Sequence, residues 1–252
     1  MASYEFPFNE RIRTLLRVED LFGKFLHNAA LDHELSHHCA LMALFQILDV
    51  VDRSELKLDL LQELDRQKSA MAQLKGNPAI SNESLDAFVA EIDKVTLAMR
   101  AEQTKLGQSL RANEWLMSIK QRASIPGGVC EFDVPSYHYW LGLGNARRRC
   151  DFDTWIAPLM PMYQAVNIVL QVLRGSGVTS NASADGGDYQ QMLAGAKPAQ
   201  MIRVEVDNDL KCFPEVSANK YAINIRFHHL DGVKRQVKSE SNIKFSLTLC
   251  NL

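Results

Sequence analysis

The spacing of apolar residues predicts helices over the first part of the chain. Asn9 can cap a helix that begins at Glu10, because an asparagine side chain accepts hydrogen bonds from the unpaired backbone N–H groups of a first turn. Further helical periods cover about 31–52, about 55–74, a segment starting at Ser81 and a short segment around 115–119. The apolar stripe of the first helix is Ile12, Leu15, Leu16, Phe22 and Leu26, and its opposite face carries Arg13, Arg17 and Lys24.

The pattern changes after the turn at 124–128. The stretch "VCEFDVPSYHYWL" (129–141) alternates and is rich in β-forming residues, which predicts a strand. An uncharged helix of about 153–174 follows. The Gly/Ser/Asn/Asp-rich stretch "RGSGVTSNASADGGD" (174–188) predicts a mobile loop.

The remainder of the chain carries strand signals in "MIRVEVD", "KYAINIRFHH" and "NIKFSLTL". In the second of these, apolar residues recur at every second position, which is typical of a strand buried on one face. The residues expected to face inward are Tyr221, Ile223, Ile225 and Phe227. Asn224 and Arg226 are expected to face outward.

These elements indicate an α+β fold, with an N-terminal helical bundle joined to an antiparallel β-sandwich-like domain. We expect a helical domain at 10–122 and a β-rich domain at 123–252. The β-rich domain would take in residues 1–9 and the helix of about 153–174. The strand at 129–141 would have to join the late strands, since an isolated strand is unstable.

Composition restricts the class of protein. The 252 residues carry a formal net charge of −2 and are 46% hydrophobic, so no global charge favours nucleic acid or an anionic membrane. The five cysteines are scattered without a C-x-x-C pair, which fits a reducing compartment. The uncharged segment 154–173 has about the length of a membrane span but contains two prolines and three polar amides. We therefore expect a buried helix, a cytoplasmic protein and no membrane insertion.

One short motif suggests a zinc peptidase. His33, Glu34 and His37 satisfy H-E-x-x-H, in which two histidines one helical turn apart hold zinc and the glutamate acts as general base. Glu55 or Asp59 could supply a third ligand. However, the thirty or so preceding residues offer no sheet to bind a peptide, and the histidines share a face with leucines. We favour histidines on a packed helix, predict no metal and no cofactor, and keep the zinc metallopeptidase as the alternative.

Arginines on faces predicted to be exposed form a second candidate site. An arginine guanidinium suits carboxylates because its planar fork can bond two oxygens at once. Scattered solubilising charge is the plainer interpretation. A nucleic-acid module is another, but it would need exposed aromatic residues beside the cations, and Tyr221 and Phe227 are expected in the core. The arginines are Arg13, Arg17, Arg53, Arg122, Arg147 to Arg149 and Arg226.

Five blocks of the sequence together resemble the bacterial Z-ring-associated protein D (ZapD) family. They are "YEFPFNERIRTLLRVEDLF" (4–22), "LDVVDRSELKLDLLQELDRQ" (48–67), "QRASIPGGVCEFDVPSYHYWL" (121–141), "DTWIAPLMPMYQAVNIVLQVLR" (153–174) and "KYAINIRF" (220–227). The most specific parts are "FNERIRTLLRVE" and "SIPGG", and the likeness spans nearly the whole chain.

The resemblance implies a cytosolic, non-enzymatic homodimer that acts in cell division. It would bind the C-terminal tail of FtsZ, the tubulin-like GTPase of the division ring, and bundle FtsZ filaments. No nucleic acid is implied. The expected tail-binding residues that lie in matching blocks are Arg13, Arg17, Arg53, His138 and Arg226. Arg122, before the Pro-Gly-Gly turn, joins them as an exposed arginine.

Overall fold

The computed structural model describes residues 1–52, 55–75, 81–193, 199–219, 221–232 and 234–251. By the density of contacts between residues, the chain divides into two compact units. One combines Met1–Leu16 with Leu170–Leu252 and holds the strands; we call it the sheet unit. The other, Arg17–Val169, is the helical unit. The chain passes from one unit to the other twice, after Leu16 and after Val169, and each of these positions lies within a helix.

Each predicted helix has a counterpart in the predicted order, while α5, α7 and most of α8 were not predicted as helices. Their bounds are α1 Glu10–Ala30, α2 Glu34–Asp52, α3 Leu56–Gln73, α4 Asn82–Ala101, α5 Gln108–Arg111, α6 Glu114–Ala123, α7 Pro135–Leu141, α8 Asn145–Ile156 and α9 Met160–Gly175. The predicted cap of α1 is confirmed, since the Ile12 N–H donates to Asn9 Oδ1 at 2.8 Å. Ser81 caps α4 by accepting from the Ser84 N–H.

The helical unit is held by α2, which is buried on several sides as its apolar pattern predicts. Helices α3 and α4 pair antiparallel with each other. Their exposed edges are joined by ion pairs between Lys68 and Asp93 and between Arg100 and Asp65. Exposed pairs of this kind contribute little stability each, so apolar burial fixes the arrangement.

The predicted strand at 129–141 is wrong, because this segment turns and then forms α7. Pro135 occupies the first turn of that helix, where its missing N–H costs nothing. Tyr137 and Trp140, three residues apart, are buried on one face and stack with ring centroids 6.0 Å apart. Trp140 also packs edge-on against Phe152 of α8. Aromatic burial on a helical period therefore overrides the β-propensity of these residues.

The strands form two antiparallel sheets. Their bounds are β1 Ala2–Pro7, β2 Val178–Ala184, β3 Asp188–Met192, β4 Met201–Val206, β5 Phe213–Ala218, β6 Ala222–Asp231, β7 Arg235–Lys238 and β8 Ile243–Cys250. One sheet has the order β1-β4-β8-β2. The other has the order β3-β6-β5, with β7 also paired to β6.

The two sheets share one apolar core, as a sandwich does. Ile202 and Val204 from one sheet meet Ile225 and Phe227 from the other, and all four are fully buried. The inward positions of Ile223, Ile225 and Phe227 are confirmed. Tyr221 was expected with them but is 62% exposed, because it precedes the first residue of β6.

The predicted mobile loop at 174–188 is also wrong. Residues 178–184 form β2, an edge strand that pairs with β8 from Val178↔Leu249 to Ala184↔Ile243. Its polar side chains suit an edge exposed to water, and Thr179 bonds the Thr248 hydroxyl at 2.8 Å. At the following turn Gly187 has φ +78°, and a Cβ there would lie 2.3 Å from the Ser239 carbonyl oxygen.

The expected domain boundary lies at 122/123, whereas the contact-based division assigns residues 123–169, with α7, α8 and most of α9, to the helical unit. The first strand lies in the same sheet as the late strands. Strand β1 pairs with β4 from Ala2↔Val206 to Pro7↔Met201.

The helix of Asn145–Gly175, which comprises α8, a short 3-10 turn and α9, is long and apolar enough to cross a membrane by length and composition alone. Half of its most apolar 18-residue window is buried inside the protein. The core helix of a soluble protein has the same properties. The buried residues of α9 include Met162, Ala165, Val166, Val169 and Leu173.

The sandwich core generates a first prediction. Phe227→Ala should reduce the free energy of unfolding by about 3–5 kcal/mol, because it removes a fully buried ring that packs on Phe245 and leaves a cavity. Tyr221→Ala, at the exposed position before the same strand, should change it by less than about 0.5 kcal/mol. Urea unfolding followed by far-ultraviolet circular dichroism measures both, and equal losses would contradict the inward–outward assignment.

Candidate partner-binding surfaces

Arg226 projects from the outer face of the sheet that contains β6. Its neighbours Ile225 and Phe227 point into the core, so alternation along the strand turns Arg226 to solvent. The side chain is 70% exposed. The strand register places Arg226 opposite Asp188 of β3 on one side and Glu215 of β5 on the other. Its Nε lies 3.7 Å from Asp188 Oδ1.

Two further side chains, those of His228 and Lys238, complete what we call the charged face, defined as Asp188, Glu215, Arg226, His228 and Lys238. Lys238 Nζ donates to Asp188 Oδ2 at 2.5 Å. That hydrogen bond, with the charges of Lys238, Arg226 and His228, lowers the pKa of the Asp188 carboxyl. His228 Nδ1 lies 3.7 Å from Glu215 Oε2. Lys238 and Arg226 thus lie beside the two carboxylates of Asp188 and Glu215.

Residues of the charged face other than Arg226 were not predicted from the sequence. Asp188 fell at the end of the expected mobile loop, so its pairing with β6 was not foreseen. Lys238 and Glu215 become neighbours of Arg226 only through the register of β7 and β5. Alternation within "YAINIRF" was the only available signal, and it located Arg226 alone.

Arg13 and Arg17 lie one turn apart on α1. Arg13 is half-buried, with Nε 3.6 Å from Glu10 Oε2. Arg17 is exposed. Both arginines therefore lie on the predicted polar face of α1. The carboxylate of Glu10 partly offsets the positive charge of Arg13.

Arg122 and His138 lie in the helical unit. Arg122 is exposed in the last turn of α6. His138 is exposed on α7, with Nε2 3.8 Å from Glu131 Oε2, which would attract it only when the imidazole is protonated. Arg53 lies outside the described residues. Arg17, Arg122 and His138 lie on three separate helices, α1, α6 and α7.

The two histidines of the H-E-x-x-H stretch are not arranged to bind one metal ion. His33 precedes α2 and is exposed, and its Nδ1 accepts from the Leu35 N–H at 3.1 Å. His37 is fully buried, so the two imidazoles do not share one exposed face. No group of three potential ligands that could hold a metal ion occurs among the described residues. The zinc metallopeptidase alternative has no structural support.

His37 instead accepts a hydrogen bond from a buried arginine. Arg148 Nε donates to His37 Nδ1 at 2.7 Å, and its Nη1 donates to the carbonyls of Leu141 and Leu143. Arg148 was expected to be exposed with Arg147 and Arg149, but it is only 4% exposed. These acceptors bind the donors of its buried guanidinium. The run of three arginines in the sequence did not indicate which of them would be buried.

The pair requires a neutral imidazole, because an Nδ1 that accepts cannot carry a proton. Burial, followed by the charge of Arg148, lowers the pKa of His37, while the carbonyls of Leu31 and Ala29 act in the opposite direction. The His37 ring also packs edge-on against Phe152 at 5.3 Å. His37 is thus part of the core of the helical unit.

Comparison with known proteins identifies the family. The sequence model described as "ZapD: Cell division protein" matches residues 16–226. The chain belongs to the ZapD family of cell division proteins. The chain is 48% identical over 252 residues to a cell division protein ZapD of Azoarcus sp. (strain BH72), and the alignment covers all of both chains. It is 48% identical over 253 residues to that of Dechloromonas aromatica (strain RCB), again over all of both.

Membership in the ZapD family gives the chain a role in cell division. A third relative, from Janthinobacterium sp. (strain Marseille), is 47% identical over 251 residues and has the same name. The names state cell division and no catalytic activity. The family match includes Arg17, Arg122, His138 and Arg226 and begins after Arg13.

The buried pair predicts a loss of stability in acid. The folded-state pKa of His37 is below its unfolded value of about 6.5, so its contribution to stability is complete above that pH and is lost as the pH falls through the folded pKa. His37→Gln keeps an acceptor for Arg148 but cannot titrate, so the fall in unfolding free energy between pH 7 and pH 5 should be smaller than in the wild type.

Urea unfolding followed by tryptophan fluorescence at several pH values measures this difference. His33→Gln is the matched control at an exposed histidine one turn earlier and should keep the wild-type acid loss. An identical acid loss in wild type and His37→Gln would show that His37 does not titrate on unfolding.

Proposed function

We propose that this chain is a non-enzymatic cell division factor that binds the C-terminal tail of FtsZ and cross-links FtsZ filaments as a homodimer. It would act in the cytoplasm at midcell, where the division ring assembles. It would need no cofactor and no nucleic acid. Arg13, Arg17, Arg53, Arg122, His138 and Arg226 are the proposed tail-binding residues.

Arg226 is the observation that carries this proposal beyond family membership. Its guanidinium is largely exposed on the central strand of its sheet and forms no hydrogen bond with any other described residue, so its planar fork can donate two hydrogen bonds to a peptide carboxylate. The strand is fixed by the packing of Ile225 and Phe227, which reduces the conformational freedom to be lost on binding.

Bundling follows if each dimer has two tail-binding sites. A single contact between exposed charges is weak, since such pairs are worth about 0–1 kcal/mol. A two-fold dimer presents the same surface twice, and a filament presents many tails. Once one tail is bound, the second binding event occurs at a high effective concentration, so filaments become cross-linked without any new type of contact.

Low-speed co-sedimentation with GTP-assembled FtsZ tests the proposal. Full-length FtsZ should pellet with the protein, and FtsZ without its C-terminal tail should not. Because exposed charges are screened over about 8–10 Å at ordinary ionic strength, pelleting should decrease as salt is raised. Equal pelleting of both forms of FtsZ, or of neither, would refute tail-dependent cross-linking.

Arg226→Glu should reduce tail binding at least tenfold, because it replaces the proposed carboxylate-binding group with a carboxylate. Arg235→Glu is a closely matched control. Arg235 is 75% exposed on the same sheet, with Nε 3.6 Å from Asp231 Oδ2, but it lies outside the charged face. Anisotropy of a labelled FtsZ tail peptide measures both variants, and equal losses would mean that only the overall charge matters.

A further inference from the structure

The charged face already contains carboxylates that compete for its cations. Asp188 and Glu215 flank Arg226 in the strand register, one on each side. Both carboxylates are exposed, at 53% and 63% of the side chain. They therefore lie where an incoming peptide carboxylate would approach Arg226.

The two cations that face Asp188 are held differently. Lys238 Nζ is hydrogen-bonded to Asp188 Oδ2 at 2.5 Å. Arg226 is 3.7 Å from Asp188 Oδ1 through Nε, a separation too long for a hydrogen bond. Asp188 thus attracts Arg226 electrostatically, but the N–H donors of Arg226 form no hydrogen bond with it. Glu215 is nearer to His228, at 3.7 Å from Nδ1.

We propose that Asp188 acts as an internal competitor that lowers the affinity of the charged face for carboxylates of the bound peptide. This inference rests on the proposed function, in which Arg226 binds the FtsZ tail. A peptide carboxylate that pairs with Arg226 must either tolerate Asp188 at close range or displace it toward Lys238. Either way, part of the attraction to Arg226 is cancelled before the peptide arrives.

The competition gives Asp188 a role that a structural ion pair would not have. It keeps each single grip weak, so stable attachment requires two tails on one dimer. It also makes the Asp188 side chain a determinant of affinity although it never bonds the peptide. Glu215 should act in the same sense but less strongly, since its nearest basic partner is His228.

Asp188→Asn tests the proposal. The change is nearly isosteric, removes the negative charge and should tighten binding of a fluorescein-labelled FtsZ tail peptide about two- to fivefold at low salt, the range expected for one exposed charge pair. Glu215→Gln should give a smaller gain. Asp209→Asn makes the same charge change at an exposed residue of the turn after β4, outside the charged face, and should give none.

A second set of variants shows whether the gain passes through Arg226. In the Arg226→Gln background, Asp188→Asn should tighten binding by less than it does with Arg226 present, because only Lys238 is then released from Asp188. An unchanged affinity in Asp188→Asn with native circular dichroism would overturn the proposal, as would an equal gain in Asp209→Asn or a gain of undiminished size without Arg226. If the wild type itself failed to bind the peptide, the proposed function would fail and this inference with it.

Discussion

The pairing of β1 with β4 is the interaction on which the sheet unit depends. It joins the first strand to one that follows the whole helical unit in sequence, from Ala2↔Val206 to Pro7↔Met201. Without β1, the outer edge of β4 would be left without backbone partners. A bidentate ion pair from Arg174 to Glu5, with both N···O distances 2.8 Å, attaches the end of α9 to the same strand. The closure cost of so long a loop grows only slowly with its length, so a whole helical unit can lie between the paired strands.

The packing of the sandwich core determines which side chains its surface can present to a partner. The inward side chains of β6 are fixed by packing, and the side chains between them must therefore project outward in fixed order. Arg226 owes its exposed position to the burial of Ile225 and Phe227. The register of β3, β5 and β7 then decides which charges surround it. In the proposed function, sheet geometry places Arg226 where a tail carboxylate can reach it, and the neighbouring carboxylates adjust the affinity.

Local signals in the sequence were sufficient where the structure is decided locally. The cap at Asn9, the cap at Ser81 and the inward residues of β6 were all predictable, because each depends on neighbours a few positions away. The aromatic-rich segment before Trp140 was misassigned, since the packing of Tyr137, Trp140 and Phe152 across different helices decides its form.

The other errors have the same origin in contacts between distant segments. Strand β2 looks like a loop because its stability comes from pairing with β8, and its exposed side chains need no apolar pattern. The burial of Arg148 depends on His37, which is far away in sequence. For the candidate site, the sequence identified Arg226 as an outward cation, but the carboxylates that oppose it became visible only with the register.

The central proposal is that the two sites of a dimer bind FtsZ tails reversibly and thereby hold filaments together. The most direct measurement is to add excess free FtsZ tail peptide to preformed bundles and to follow light scattering. Reversible grips predict that scattering falls to the level of single filaments, and that a peptide of the same composition in scrambled order is less effective. Bundles that persist at saturating peptide would contradict tail-mediated cross-linking.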